Sequence, residues 1–139
     1  MESSTPQKTQ LSPYLSFNGN CESALNFYQT VLGGTIDFKR FSEGPMEVEE
    51  ADKGRIMHAH FAFDDCYMLA SDSAGNSPIE AGKNIHLSLY FPDKDRAKKV
   101  FEKLSGDGVK AMPFGEVFWG GGFGMLVDKF GIQWMISCP

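Results

Sequence analysis

The sequence predicts an α+β domain of two βαβββ modules, forming a curved mixed sheet around a cavity. Three observations carry this. A strand–turn–helix plan returns after 73 residues, each helix runs into a pair of glycines, and three strand-like segments follow each helix.

The first copy of the plan is Tyr14-Leu15-Ser16-Phe17, the turn Asn18-Gly19-Asn20, and a helix through Ala24, Leu25, Phe27, Tyr28 and Leu32. Asn20 is the expected N-cap, and Gly33-Gly34 the stop. The second copy is a strand from His86 to Phe91, a turn at Pro92-Asp93 with Asp93 as cap, and a helix through Ala97, Val100, Phe101 and Leu104. That helix ends before Gly106 and Gly108. With the 73-residue offset, Ala24 meets Ala97, Phe27 meets Val100 and Tyr28 meets Phe101.

The later strands of the first half are expected at 35–41, 55–63 and 67–71, with Asp64-Asp65 as a tight turn. Those of the second half are expected at 109–112, 123–127 and 132–137, the last two joined by the turn Asp128-Lys129-Phe130-Gly131. Residues 1–10 read as a disordered tail and 11–139 as one domain. Within it, module one covers 11–72, a Ser/Asn/Gly/Pro-rich linker 73–83, and module two 84–139. The loop 42–54, with five acidic residues and a proline, reads as exposed and mobile.

Composition narrows the function classes. A chain of 139 residues can bury a core without disulfides or metal. A net charge of −5 argues against a nucleic-acid partner, which needs a clustered Lys/Arg face. The lysines between Lys94 and Lys103 alternate with Asp95 and Glu102 and read as a solvated helix face. No apolar run is long enough for a membrane span. Three cysteines without C-x-x-C spacing make neither a disulfide framework nor a structural zinc site, so a cytoplasmic setting is the default.

Alternation assigns faces to the strands. On 55–63, Met57, Ala59, Phe61 and Phe63 form an apolar face, and Ile56, His58, His60 and Ala62 lie opposite. On the strand after Asn84, Ile85, Leu87, Leu89 and Phe91 oppose His86, Ser88 and Tyr90. Helices must bury their apolar stripes on the apolar faces. The faces bearing all three histidines then line whatever the sheets enclose.

The plan and its motifs resemble the vicinal oxygen chelate (glyoxalase/bleomycin-resistance) superfamily, and within it the PhnB-like branch. The residues carrying this are Pro13 to Cys21, Phe27-Tyr28, His58, Phe118-Trp119, Gly122-Phe123-Gly124, Asp128 to Gly131, and Trp134-Met135-Ile136. The resemblance spans the chain from Leu11 onward. It implies the glyoxalase/bleomycin-resistance/dioxygenase fold, a small-molecule pocket and a homodimer, but not one activity. Superfamily enzymes hold a divalent metal with His and Glu from the first and last strands of each module. The resemblance puts those positions at Pro13, Ala70, His86 and Met135, of which only His86 suits such a cation. No metal or other cofactor is therefore expected. The alternative is a non-standard divalent site at His58, His60 and His86.

The expected ligand pocket comprises His58, His60, His86, Ser88, Tyr90, Phe118, Trp119, Phe123, Gln133 and Met135. Phe118 and Trp119 could wall an apolar ligand or simply pack in the core. The glycines from Gly120 to Gly124 precede a strand rather than a helix, so they read as a hairpin over the pocket mouth and not as a phosphate loop. Glu116 reads as a surface carboxylate before a general base, and Cys66 as a turn residue before a reactive thiol. Some relatives carry a ubiquinone methyltransferase label, but no Rossmann-like pattern is present to hold S-adenosylmethionine. Two functions stay open: a metal-independent small-molecule binder, or a lyase, isomerase or transferase using the histidines, with or without metal.

Overall fold

The computed structural model describes residues 8–74 and 78–139. Most of the expected tail (1–7) and the middle of the expected linker (75–77) lie outside the described residues. The strands and helices are β1 (Tyr14–Phe17), α1 (Cys21–Leu32), β2 (Thr35–Arg40), β3 (Ile56–Phe63) and β4 (Cys66–Asp72) in module one. Module two holds β5 (Leu87–Tyr90), α2 (Lys94–Leu104), β6 (Val109–Glu116), β7 (Gly122–Val127) and β8 (Gln133–Cys138). Each module makes its own four-stranded mixed sheet, in the orders β1-β4-β3-β2 and β5-β8-β7-β6. β1 and β5 are each the parallel edge strand of their sheet. The two-module α+β architecture holds, as two open sheets and not a closed barrel.

The apolar stripes of the helices explain the packing. Cys21, Ala24, Leu25, Tyr28 and Leu32 of α1 and Ala97, Val100, Phe101 and Leu104 of α2 are buried in one core with Ala59, Phe61, Phe63, Leu126, Trp134 and Ile136. Burying a side chain such as Phe61 or Phe101 contributes roughly 1.5–3 kcal/mol. The modules join through this core: Tyr28 packs edge-on against Trp134 with ring centroids 5.4 Å apart. At the surface, Arg96 bridges to Asp64 at 2.7 Å.

The strands are one residue out of step with the expected offset of 73. Buried Leu15 and Phe17 correspond to Leu89 and buried Phe91, an offset of 74. Gly34 and Gly108 keep the same spacing. A side chain at either would strike a strand carbonyl, of Ala62 and of Val127 respectively. The helices keep 73, from the N-caps Asn20 and Asp93 to the buried pairs Ala24/Ala97 and Tyr28/Phe101. The strand-to-helix turn is therefore one residue shorter in module two, and a one-residue shift exchanges the faces of a strand.

Several local expectations change. Asp93 accepts from the Asp95 and Arg96 amides and caps α2, but Asn20 makes no side-chain cap. The buried carboxylate of Asp72, at the end of β4, takes that role for α1. It accepts from the amides of Gly19 and Cys21 and of Ile56 on β3, each at 2.9 Å. At the start of β3, Ile56 is buried and Met57 half-buried, reversing the expected faces there, because the β2–β3 register shifts between Lys39 and Arg40. Ile85 is 74% exposed and lies before β5. β6 runs through Pro113 to Glu116, past the expected end at Met112. As an edge strand it tolerates proline, at the cost of two register shifts. The 42–54 loop is pinned by Phe41 in the core and by pairs such as Arg55–Asp52 at 3.4 Å.

Candidate functional site

The faces turned away from the helices carry most of the residues expected to line a pocket. In sheet one that face holds Tyr14, His58, His60, Tyr67, Leu69 and Ser71. Tyr14 lies 6.0 Å from the ring of His58, and His60 stacks on Tyr67 at 5.1 Å. Strand pairing sets Lys39 beside His58 and Asp37 beside His60. The hydroxyl of Tyr67 accepts from Ser12 and donates to Gln10, each at 2.7 Å, which ties the incoming chain to this face. In sheet two the corresponding face holds Ser88, Tyr90, Phe123 and Met135. Ser88 lies opposite Met135, and Tyr90 is 60% exposed.

His86 does not join the other histidines. It precedes β5 and lines a cavity of about 370 Å³ between β5 and, in module one, the segment entering β1 and the start of β4, with Ser12, Tyr67 and Ser88. His58 and His60 are absent from that lining. The expected convergence of the three imidazoles is thus not found within one chain. Among the described residues, no group of three His, Cys, Asp or Glu side chains could hold a metal ion. The four metal positions also need correction. Pro13 and Ala70 are not the counterparts of His86 and Met135, since Ala70 is fully buried toward the helices. With the faces matched, the counterparts are Ser12 and Leu69. Ser12, Leu69, His86 and Met135 still supply only one good donor for a hard or borderline cation, so they do not fit a divalent metal.

Phe118 and Trp119 form the tip of the β6–β7 hairpin and are not core residues. They are 95% and 60% exposed, and Trp119 lies 5.8 Å from the ring of Phe123. The hairpin is closed by bonds from Val117 N to Gly121 O and from Gly120 N to Val117 O. Glu116 is exposed and lies 3.7 Å from Lys94, as a surface carboxylate should. Cys66 is exposed, and the three cysteines are unpaired.

A larger cavity, about 750 Å³, lies beside the β1 edge under residues 79–85. Gln133 is the one expected pocket residue in it. Its amide donates to the Ile85 carbonyl at 2.9 Å. Sequence reasoning missed this cavity because the covering segment was read only as a linker. Asn18 was the available signal: its side chain bonds both the N–H and the C=O of Ile79, at 2.6 and 2.8 Å.

Buried titratable groups serve the frame. Asp128 accepts from the Tyr28 hydroxyl at 2.6 Å, Trp134 Nε1 at 2.9 Å, and the amides of Phe130 and Ile132 at 2.8 and 3.0 Å. Burial, then the Asp128 carboxylate, holds the Tyr28 hydroxyl protonated far above its usual range. Burial, reinforced by Asp72 and Glu22, pushes the Cys21 thiol up to about 12.

The same frame occurs in known proteins. A structure of PA1353 from Pseudomonas aeruginosa superposes with a TM-score of 0.86 at 37% identity, over 94% of this chain and 98% of that one. A PhnB protein from Bacillus cereus superposes at 0.79 with 27% identity, over 94% and 100%. Protein YjdN of Escherichia coli K12 is 33% identical over 137 residues, covering 91% of this chain and 93% of its own length. The Glyoxalase/Bleomycin resistance protein/Dioxygenase superfamily profile matches residues 10–136. With the two βαβββ modules already in view, this match makes the chain a member of that superfamily.

Proposed function

We propose that the protein binds a small, partly apolar molecule on the helix-free face of sheet one, without a catalytic metal, as a PhnB-like member of its superfamily. One observation carries the reading. Tyr14, His58, His60 and Tyr67 form a polar–aromatic row that neither helix covers and that core packing does not require. Such a row offers rings for stacking and imidazoles for hydrogen bonds. A homodimer would supply the opposite wall, with the exposed Phe118 and Trp119 as the natural closing residues. The free thiols suit a reducing cytoplasm. The methyltransferase name gains no support from the fold, since among the described residues no doubly wound parallel sheet is present to cradle S-adenosylmethionine.

The test is a thermal-shift screen of a metabolite and antibiotic panel on wild type, His58→Ala and His86→Ala, with sedimentation to read the oligomer. A ligand that stabilises the wild type but not His58→Ala supports the site. Binding indifferent to His58, or a monomer at all concentrations, counts against it. Metal analysis of untagged protein bears on the second reading, a glyoxalase-like lyase, isomerase or transferase at His58 and His60, which would need His86 from a second copy of the chain. That reading rests on the i, i+2 spacing of His58 and His60 on one strand face, and a stoichiometric metal would favour it.

A further inference from the structure

The 750 Å³ cavity beside β1 has the attributes of a second ligand site, which shares Tyr14 with the helix-free face of sheet one but none of its histidines. Its volume lies in the range of pockets that enclose small organic molecules. One wall is apolar, from Leu15, Phe17, Leu87, Phe130 and Ile132. Phe17 and Phe130 meet edge-to-face at 6.5 Å, which gives that wall a fixed aromatic corner. The opposite wall is the segment 79–85. Two side-chain amides hold it: Asn18 on both backbone groups of Ile79, and Gln133 on the carbonyl of Ile85. The cavity is thus built from both modules and roofed by a strap pinned at its two ends.

The lining also selects charge. Among the described residues that line it, Glu80 is the only charged side chain, with no Lys, Arg or His. Just outside, the Lys129 ammonium is already drawn over the rings of Phe27 and Phe130, at 4.4 and 5.6 Å. Aromatic walls with a carboxylate and no lining cation disfavour acids. We infer that this cavity binds a planar aromatic molecule that is uncharged or cationic, held between the Phe17–Phe130 corner and the 79–85 strap.

Two dyes of similar size and opposite charge test this: thioflavin T, a cation, and 1-anilinonaphthalene-8-sulfonate, an anion. Fluorescence titration of the full chain should give saturable, one-to-one thioflavin T binding, with the anion at least about tenfold weaker. Ala81→Trp fills the cavity from the exposed strap without touching the core, and should weaken thioflavin T about tenfold or more. Ala81→Ser, which adds little volume, should bind as wild type. Glu80→Gln should weaken thioflavin T about threefold to tenfold. The inference is overturned if thioflavin T does not saturate at one site, if Ala81→Trp binds it unchanged while melting like the wild type, or if the anion binds as well as the cation.

Discussion

The hydroxyl of Tyr28, in the middle of α1, donates at 2.6 Å to the carboxylate of Asp128, in the last turn of module two, one hundred residues away. Both groups are buried, and Asp128 gathers three further donors from Trp134, Phe130 and Ile132. The contact welds the first module to the second at a single acceptor. Removing the donor should be costly, but less so than removing the acceptor. Tyr28→Phe should lower unfolding free energy in urea by about 1.5–3 kcal/mol, the range for a buried bond to a charged group. Asp128→Ala strands four donors and should cost more, on the order of 3–5 kcal/mol. An Asp128→Ala protein within 1 kcal/mol of wild type would sink this account.

Asp72 reaches across its module to hold the start of α1 and the amide of Ile56. Asp72→Asn keeps the shape but loses the charge and half of the acceptor capacity. It should destabilise by about 1–3 kcal/mol. Hydrogen exchange should quicken at Gly19, Cys21 and Ile56, while the Asp95 and Arg96 amides, capped by Asp93, stay protected. Equal loss of protection at both helices would mean that Asp72 acts globally and not as a cap.

The thiols should separate by reactivity. Cys21 is fully buried with its pKa pushed up to about 12, Cys138 is buried, and Cys66 is exposed. A raised pKa keeps the Cys21 thiol protonated through the neutral and mildly alkaline range, where only thiolates attack disulfides. Native protein at pH 8 should therefore release one equivalent of thionitrobenzoate with Ellman's reagent, and three in denaturant. Cys66→Ser should abolish the fast equivalent. Any fast equivalent that remains in that variant would place another thiol at the surface.

The fold was legible in the sequence where punctuation was local. Gly33-Gly34 ended α1, Asp93 capped α2 and Asp64-Asp65 turned β3 into β4, because each acts on residues within a few positions. The cap on α1 was hidden because its carboxylate comes from Asp72, 51 residues beyond Cys21. β6 runs on past Met112 because its edge position makes Pro113 and Gly115 tolerable, which no local pattern reveals. The site was half legible. Alternation placed His58 and His60 on the face without helices, but it could not show that β5 begins after His86, at a seam between the two modules.

The missing residue between β5 and α2 sets a rule for recombining the halves of this protein. A chimera spliced within a helix leaves every strand attached to its own turn, and inside stays inside. If β5 were grafted onto the turn that leads into α1, its parity would slip by one position. Ser88 and Tyr90 would be driven inward and Leu87 and Leu89 turned out to water. The two halves share one plan, yet they are not interchangeable parts.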